Sequence, residues 1–287
     1  MIELLALGSA ILYGSADFFG GLTARRANTI ATVFVSQFVG LILLLLVLPF
    51  LPAATVSSRD WVWGFVAGFS GGIGVALLYR ALAIGKMAVV APTTAVIAAM
   101  IPVIFAFVLG ERLRPLTLAG VALALVAIAL VSRPATQDDS EPGRPNSNTL
   151  PPGFALAMLS GVAVGIFFLS LARTTMAAGM WPLIAARIAS IVLFGSIALV
   201  AGKTLRMSAP AMVTASTGGA LDMAANALYM IAARIGPLSI VVTLASLYPA
   251  STVILARVVL GERLSFVQIS GIICALGAVL IIVGTTG

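Results

Sequence analysis

The string VLGERL stands at Val108–Leu113 and returns at Val259–Leu264, 151 positions later. Each copy ends one long apolar run and precedes another. The same shift lays Ser9 on Ser160, Gly14 on Gly165 and Gly85 on Gly236. The chain therefore reads as two copies of one membrane-embedded unit. Secondary transporters are commonly built this way and bind substrate between the halves.

Composition supports the membrane reading. The 287 residues are 61% hydrophobic and only 9% charged, with a mean hydropathy of +1.18. A soluble domain carries roughly 25% charged residues. Runs of about 20 apolar residues recur, the length that crosses roughly 30 Å of hydrocarbon as a helix. They do not alternate apolar with polar residues, as barrel strands would. The opening MIELL has no basic stretch and leads straight into a full-length span, so no removable signal peptide is expected.

Several chemistries drop out. Cys274 is the one cysteine, which leaves no intramolecular disulfide and no cysteine-rich metal site. Histidine is absent, and with it the commonest metal ligand and the usual general base. No cofactor or metal set is legible. The net charge of +7 comes from basic residues scattered singly at span ends, which suits anionic lipid and not nucleic acid. GKT at Gly202–Thr204 lacks the phosphate-loop glycine, since position 197 is Ile197. The chain is expected not to be an enzyme, and any pumping would draw on a gradient.

Ten spans are expected: Leu4–Leu22, Ile30–Leu51, Trp61–Ile84, Val89–Gly110, Pro115–Ser132, Gly153–Arg173, Trp181–Gly202, Ala209–Ala233, Leu238–Gly261 and Phe266–Val283. Most connections are short. The exception is RPATQDDSEPGRPNSNTLPP at Arg133–Pro152, a polar, proline-rich linker. The expected organisation is a first five-helix repeat over 1–132, this linker over 133–152, and a second repeat over 153–287. Five is odd, so the second repeat must enter the membrane from the opposite side. The fold class is thus an all-α membrane protein of two inverted five-helix repeats. Lys and Arg concentrate on the side away from the termini, at Arg25, Arg26, Arg80, Lys86, Arg133, Arg144, Lys203, Arg206 and Arg263. By the positive-inside rule this places both termini outside.

Polar side chains within apolar spans are the functional candidates. Asp17 lies well inside the first span, one turn after Tyr13. An ionised carboxylate in hydrocarbon costs several kcal/mol unless paired or hydrated. It is a candidate for coupling transport to protons, the alternative being a structural hydrogen bond. In the eighth span Asp222, Asn226 and Tyr229 share one helical face. Asp222 suits a substrate ammonium group or a proton; the alternative is polar glue between helices. Arg187 sits mid-span in the seventh helix, and its expected partner is Asp222 or Asp17. Pro92, Pro102 and Pro249 lie inside spans, where they free backbone carbonyls and offer bending points. Gly64, Gly68 and Gly72 stand four apart and allow close helix contact or a cavity wall.

With the glycine–glutamate ends Gly110-Glu111 and Gly261-Glu262, the opening Tyr13-Gly14-Ser15 and Pro249, the chain resembles the drug/metabolite transporter superfamily, of the ten-helix EamA type. The resemblance covers nearly the whole chain. It implies export of small metabolites, often amino acids, from a bacterial inner membrane, through a cavity lined mainly by the third, fourth, eighth and ninth helices. On that basis Tyr79, Thr93, Thr94, Ser246 and Tyr248 join Tyr13, Asn226 and Tyr229 as expected lining residues. It also implies cytoplasmic termini, opposite to the charge count, and the orientation stays open between the two. The chain departs from the family pattern at Ala98, which stands where Pro249 has its counterpart, and at Val164-Gly165, where an aromatic residue is common.

The expected function is a secondary transporter that exports small neutral or zwitterionic metabolites, amino acids first, by alternating access. It would work as a monomer, with membrane lipid around it and protons as the candidate coupling ion. A multidrug or lipophilic-cation exporter and an uncoupled facilitator are the alternatives.

Overall fold

The computed structural model describes residues 1–85, 87–110, 112, 114–131, 152–261 and 266–286. The linker up to position 151, Glu111 and Glu262 lie outside these described residues, as does the side chain of Pro92. All regular structure among the described residues is helical. The first half holds α1 (Ile2–Ala24), α2 (Thr29–Val47), α3 (Ser58–Ile84), α4 (Met87–Val108) and α5 (Pro115–Val131). The second holds α6 (Phe154–Ala172), α7 (Trp181–Val200), α8 (Ala209–Ile235), α9 (Leu238–Ala245), α10 (Tyr248–Leu260) and α11 (Phe266–Thr286).

These bounds fall within a few residues of the expected spans, with one difference of kind. The ninth span is two helices, α9 and α10, separated at Ser246-Leu247. Pro249, near the start of α10, has no N–H to return to the carbonyl of Ala245, so the ladder stops there. Six helical segments are long and apolar enough to cross a membrane: α1, α2 with the short turn after it, α3, α6, α7 and the α9–α10 stretch. The long α8 is not among them. Its Ser, Thr, Gly, Asp and Asn residues dilute the hydrophobicity.

The 151-residue shift governs the backbone as well as the sequence. Helices α3 and α8 coincide under it from first residue to last, and each is capped by a glycine, Gly85 or Gly236. α4 and α10 both run up to a glycine with positive φ, Gly110 at 87° and Gly261 at 70°. Only glycine adopts that left-handed end without strain, which explains the repeated glycine of VLGERL. Packing follows the repeat too. α1 packs on α8 as α6 packs on α3, and α2 on α8 as α7 on α3. α4 lies against α6 as α9 and α10 lie against α1. The pairs α2–α7 and α5–α11 exchange with themselves. Each half therefore completes its packing through the other, and the space between α1, α3, α6 and α8 is formed by both.

Candidate functional site: a cavity between the halves

The cavity lies where the two halves meet. One wall is polar. From α1 come Tyr13 and Asp17; from α2, Gln37; from α7, Arg187; from α8, Asp222 and Asn226; and Tyr248 closes it from the start of α10. The four-residue spacings of Tyr13–Asp17 and Asp222–Asn226 put each pair on one helical face.

A continuous hydrogen-bond network ties this wall together. Arg187 donates through Nη2 to Asp222 Oδ2 at 2.7 Å and through Nη1 to Gln37 Oε1. Asn226 Nδ2 donates to the same Asp222 oxygen at 3.0 Å and to the Asp222 carbonyl at 2.7 Å. The Tyr13 hydroxyl donates to Asn226 Oδ1 at 2.7 Å. The network thus runs from α2 through α7 and α8 to α1, and it crosses between the halves. Arg187 and Asp222 satisfy each other's charge, and the neutral amides occupy sites that would otherwise be left without partners.

Asp17 stands apart from this network. It is 8% exposed, yet among the described residues it accepts no hydrogen bond and meets no cation. It faces the cavity, within electrostatic reach of Asp222 and Tyr248. The Tyr13 ring stands edge-on to Phe168 at 5.7 Å and to Tyr248 at 6.4 Å between centroids. The unpaired carboxylate therefore sits beside an aromatic cluster.

The rest of the lining is largely apolar. It includes Gly68, Gly71, Gly72, Val75 and Leu78 of α3 with Val164, Phe167 and Phe168 of α6. Gly68 is there for close approach: a Cβ at that position would run into the carbonyl of Ala186 on α7. Ser190 of α7 donates to the Gly68 carbonyl at 2.6 Å, which fixes that contact.

Of the residues nominated from sequence, Tyr13, Asp17, Gly68, Gly72, Arg187, Asp222, Asn226 and Tyr248 come together on this cavity. Arg187 takes Asp222, not Asp17, as its partner. The others lie elsewhere. Tyr229 is fully buried behind the wall and donates to the Phe168 carbonyl at 3.0 Å. Tyr79 packs its ring over Gly20. Thr94 donates to the Ala157 carbonyl at 3.1 Å, joining α4 to α6, and Thr93 lies next to it on α4. Ser246 is buried at the α9–α10 break with no hydrogen-bond partner among the described residues. Pro102 lies inside an unbroken α4, while Pro249 starts α10.

The resemblance implied lining from the third, fourth, eighth and ninth helices. α3, α8 and the Tyr248 end of the ninth span do line the cavity. No described residue of α4 does, and α1, α2, α6 and α7 contribute instead. Gln37, a polar residue within an apolar span, is a lining residue beyond those expected from sequence. The glycines and phenylalanines of the apolar wall carry no signal that separates a cavity from ordinary packing.

A solved structure titled "Crystal structure of protein" superposes with a TM-score of 0.68, covering 98% of this chain and 95% of that one at 17% identity. At that identity the likeness shows a shared fold and nothing about substrate. No curated protein sequence matches the chain. The sequence model of the EamA-like transporter family matches twice, over residues 1–133 and 151–284, once for each half of the cavity. Repeat, fold and family match agree, and the chain belongs to the EamA-like transporter family, multi-pass membrane transporters of the drug/metabolite superfamily.

Proposed function

We propose that this transporter is a secondary carrier that exports small amphiphilic metabolites of low net charge across a bacterial inner membrane. Its ten spans form two inverted five-helix repeats that rock about the cavity between them. The observation that carries this reading is the cavity itself. It is walled by both halves, holds a buried carboxylate, and is bounded by helices that pair the same way when the halves are exchanged. In an alternating-access cycle such a site opens to one side and then the other. Asp17 is the group that takes and releases a proton in step with that opening; Asp222, held by Arg187 and Asn226, maintains the wall. Neither a ring of acids nor a ring of basic residues lines the site among the described residues, which supports a carrier over an ion channel. Amino acids are the first substrate class to assay.

The test is uptake into proteoliposomes holding the purified monomer, with and without an imposed pH gradient, followed by counterflow. Saturable uptake with counterflow is expected, accelerated by the gradient and made indifferent to it by Asp17→Asn. Non-saturable flux without counterflow would replace the carrier with a pore. Saturable flux in which wild type ignores the gradient would remove the proton from the mechanism.

A further inference from the structure

The charges in the cavity do not balance. Among the described residues only three ionisable acids and bases line it: Asp17, Asp222 and Arg187. Arg187 and Asp222 form an ion pair at 2.7 Å, Gln37 accepts a second bond from Arg187, and Asn226 donates to the same Asp222 oxygen. That pair presents no free charge. Asp17 is left with its carboxylate buried, facing the cavity and unpartnered. A lone carboxylate in such a place is costly, and a cation entering from water offsets that cost.

The repeat shows why the surplus is single. Shifting by 151 residues lays Asp222 on Gly71, Asn226 on Val75, Asp17 on Phe168 and Tyr13 on Val164. Each of these eight residues lines the cavity. Duplication has therefore matched four polar residues with four apolar counterparts, so the lining is polar on α1 and α8 and apolar on α3 and α6. The polar part also carries the rings of Tyr13 and Tyr248, whose faces attract a positive charge.

Resting on the carrier reading above, we propose that the substrate is an amphiphilic monocation, an organic ammonium whose head meets Asp17 beside Tyr13 and Tyr248. Its apolar body lies along Val75, Leu78, Phe167 and Phe168. A zwitterionic amino acid fits less well. Its ammonium has the same partner, but its carboxylate finds no free cation, because the Arg187 guanidinium already holds Asp222 and Gln37 and its side chain is only 5% exposed.

Three probes that share one skeleton isolate the charge: phenethylammonium, phenylalanine and 3-phenylpropionate. Their binding to the purified full-length protein is measured by calorimetry near neutral pH. Phenethylammonium is expected to bind at least about tenfold more tightly than phenylalanine, about 1.4 kcal/mol, and 3-phenylpropionate most weakly. Asp17→Asn should abolish that preference and Asp17→Glu should restore part of it. Equal or tighter binding of phenylalanine by wild type overturns the proposal, and so does an ammonium preference that survives in Asp17→Asn. The wild-type comparison decides even where a variant fails to fold. The carrier reading fails separately: phenethylammonium that binds at Asp17 yet shows no saturable flux in proteoliposomes keeps this assignment and removes the carrier. Saturable phenylalanine flux without ammonium binding keeps the carrier and removes this assignment.

Discussion

Helices α3 and α8 are the same helix twice. They begin and end at matching repeat positions, each is capped by glycine, and each packs on a helix pair that the other half duplicates. Their middles differ. α3 carries Gly68, Gly71 and Gly72 and lets α7 and Phe167 approach its backbone. α8 keeps Gly218 and Gly219 but continues with Asp222, Asn226 and Tyr229. Repetition has built the scaffold symmetrically, and point differences on one copy have supplied the chemistry. A symmetric pair of acids would have placed like charges across one small cavity. The charge on one side only avoids that repulsion and gives the site a direction.

The sharpest way to break the comparison is to make α8 apolar like α3. Asp222→Leu leaves Arg187, which is 4% exposed, without its counter-ion. Stranding a buried charge costs about 3–5 kcal/mol. The expected result is a large fall in the melting temperature of the detergent-solubilised protein, with loss of transport. Adding Arg187→Met should recover most of the stability and none of the transport. A melting temperature unmoved by Asp222→Leu alone would show that the pair does not hold the two helices.

The next effect tests the α3 side. Gly68→Ala drives a methyl group into the Ala186 carbonyl and the Ala189 side chain, and backbone gives way poorly. A loss of about 1–3 kcal/mol is expected from such overpacking. Gly218→Ala is the control on α8, where the nearest atom to the added carbon is 3.4 Å away, and it should change the melting temperature little. Equal tolerance at both positions would mean that α3 does not depend on close approach to α7.

How much of this was legible follows from the cost of polarity in hydrocarbon. Charges at Asp17, Arg187 and Asp222 stand out because a span tolerates them only with a partner or a purpose, and all three lie on one cavity. The repeat was legible because VLGERL needs its glycine at a left-handed helix end in both halves. The break inside the ninth span was half legible: Pro249 marked a bending point, but Pro102 in α4 marks one equally and that helix runs through. Whether a proline breaks a helix depends on what neighbours supply to the freed carbonyl, which is tertiary information. The same holds for Tyr229 and Thr94. Both look like cavity groups in sequence, and both spend their hydroxyls on carbonyls of α6. The apolar wall was half legible: the spacing of Gly64, Gly68 and Gly72 allows a close helix contact or a cavity wall, and a glycine or phenylalanine facing empty space reads the same as one facing a helix.

A smaller effect sharpens the link between the walls. Tyr13→Phe removes the hydroxyl that reaches Asn226 and keeps the ring against Phe168 and Tyr248. One hydrogen bond between membrane helices is worth about 1 kcal/mol, so the melting temperature should fall modestly. Transport should fall more than stability, because Asn226 loses the partner that fixes it against Asp222. A variant with wild-type rates would confine the network's role to packing.

The smallest expected effect concerns α4 and its broken counterpart. Where the second half has Ser246 and Pro249, the first has Ala95 and Ala98. Ser246→Ala therefore rebuilds the first half's residue in the second. The Ser246 hydroxyl is fully buried at the break and has no hydrogen-bond partner among the described residues, so it contributes cost and no bond. Its removal should leave stability unchanged or raise it by up to about 1 kcal/mol, opposite in sign to the losses expected above. A serine kept at the junction of α9 and α10 despite that cost is explicable if the hydroxyl finds its partner when the halves move. Ala245 has a carbonyl that the proline has released from the helix ladder. Stability and transport measured on the same preparation separate the two roles. A Ser246→Ala protein that is at least as stable but slower in counterflow makes the break a working joint. One that is more stable and equally fast makes the serine an unfavourable residue that the fold tolerates, and leaves Pro249 alone as the cause of the bend.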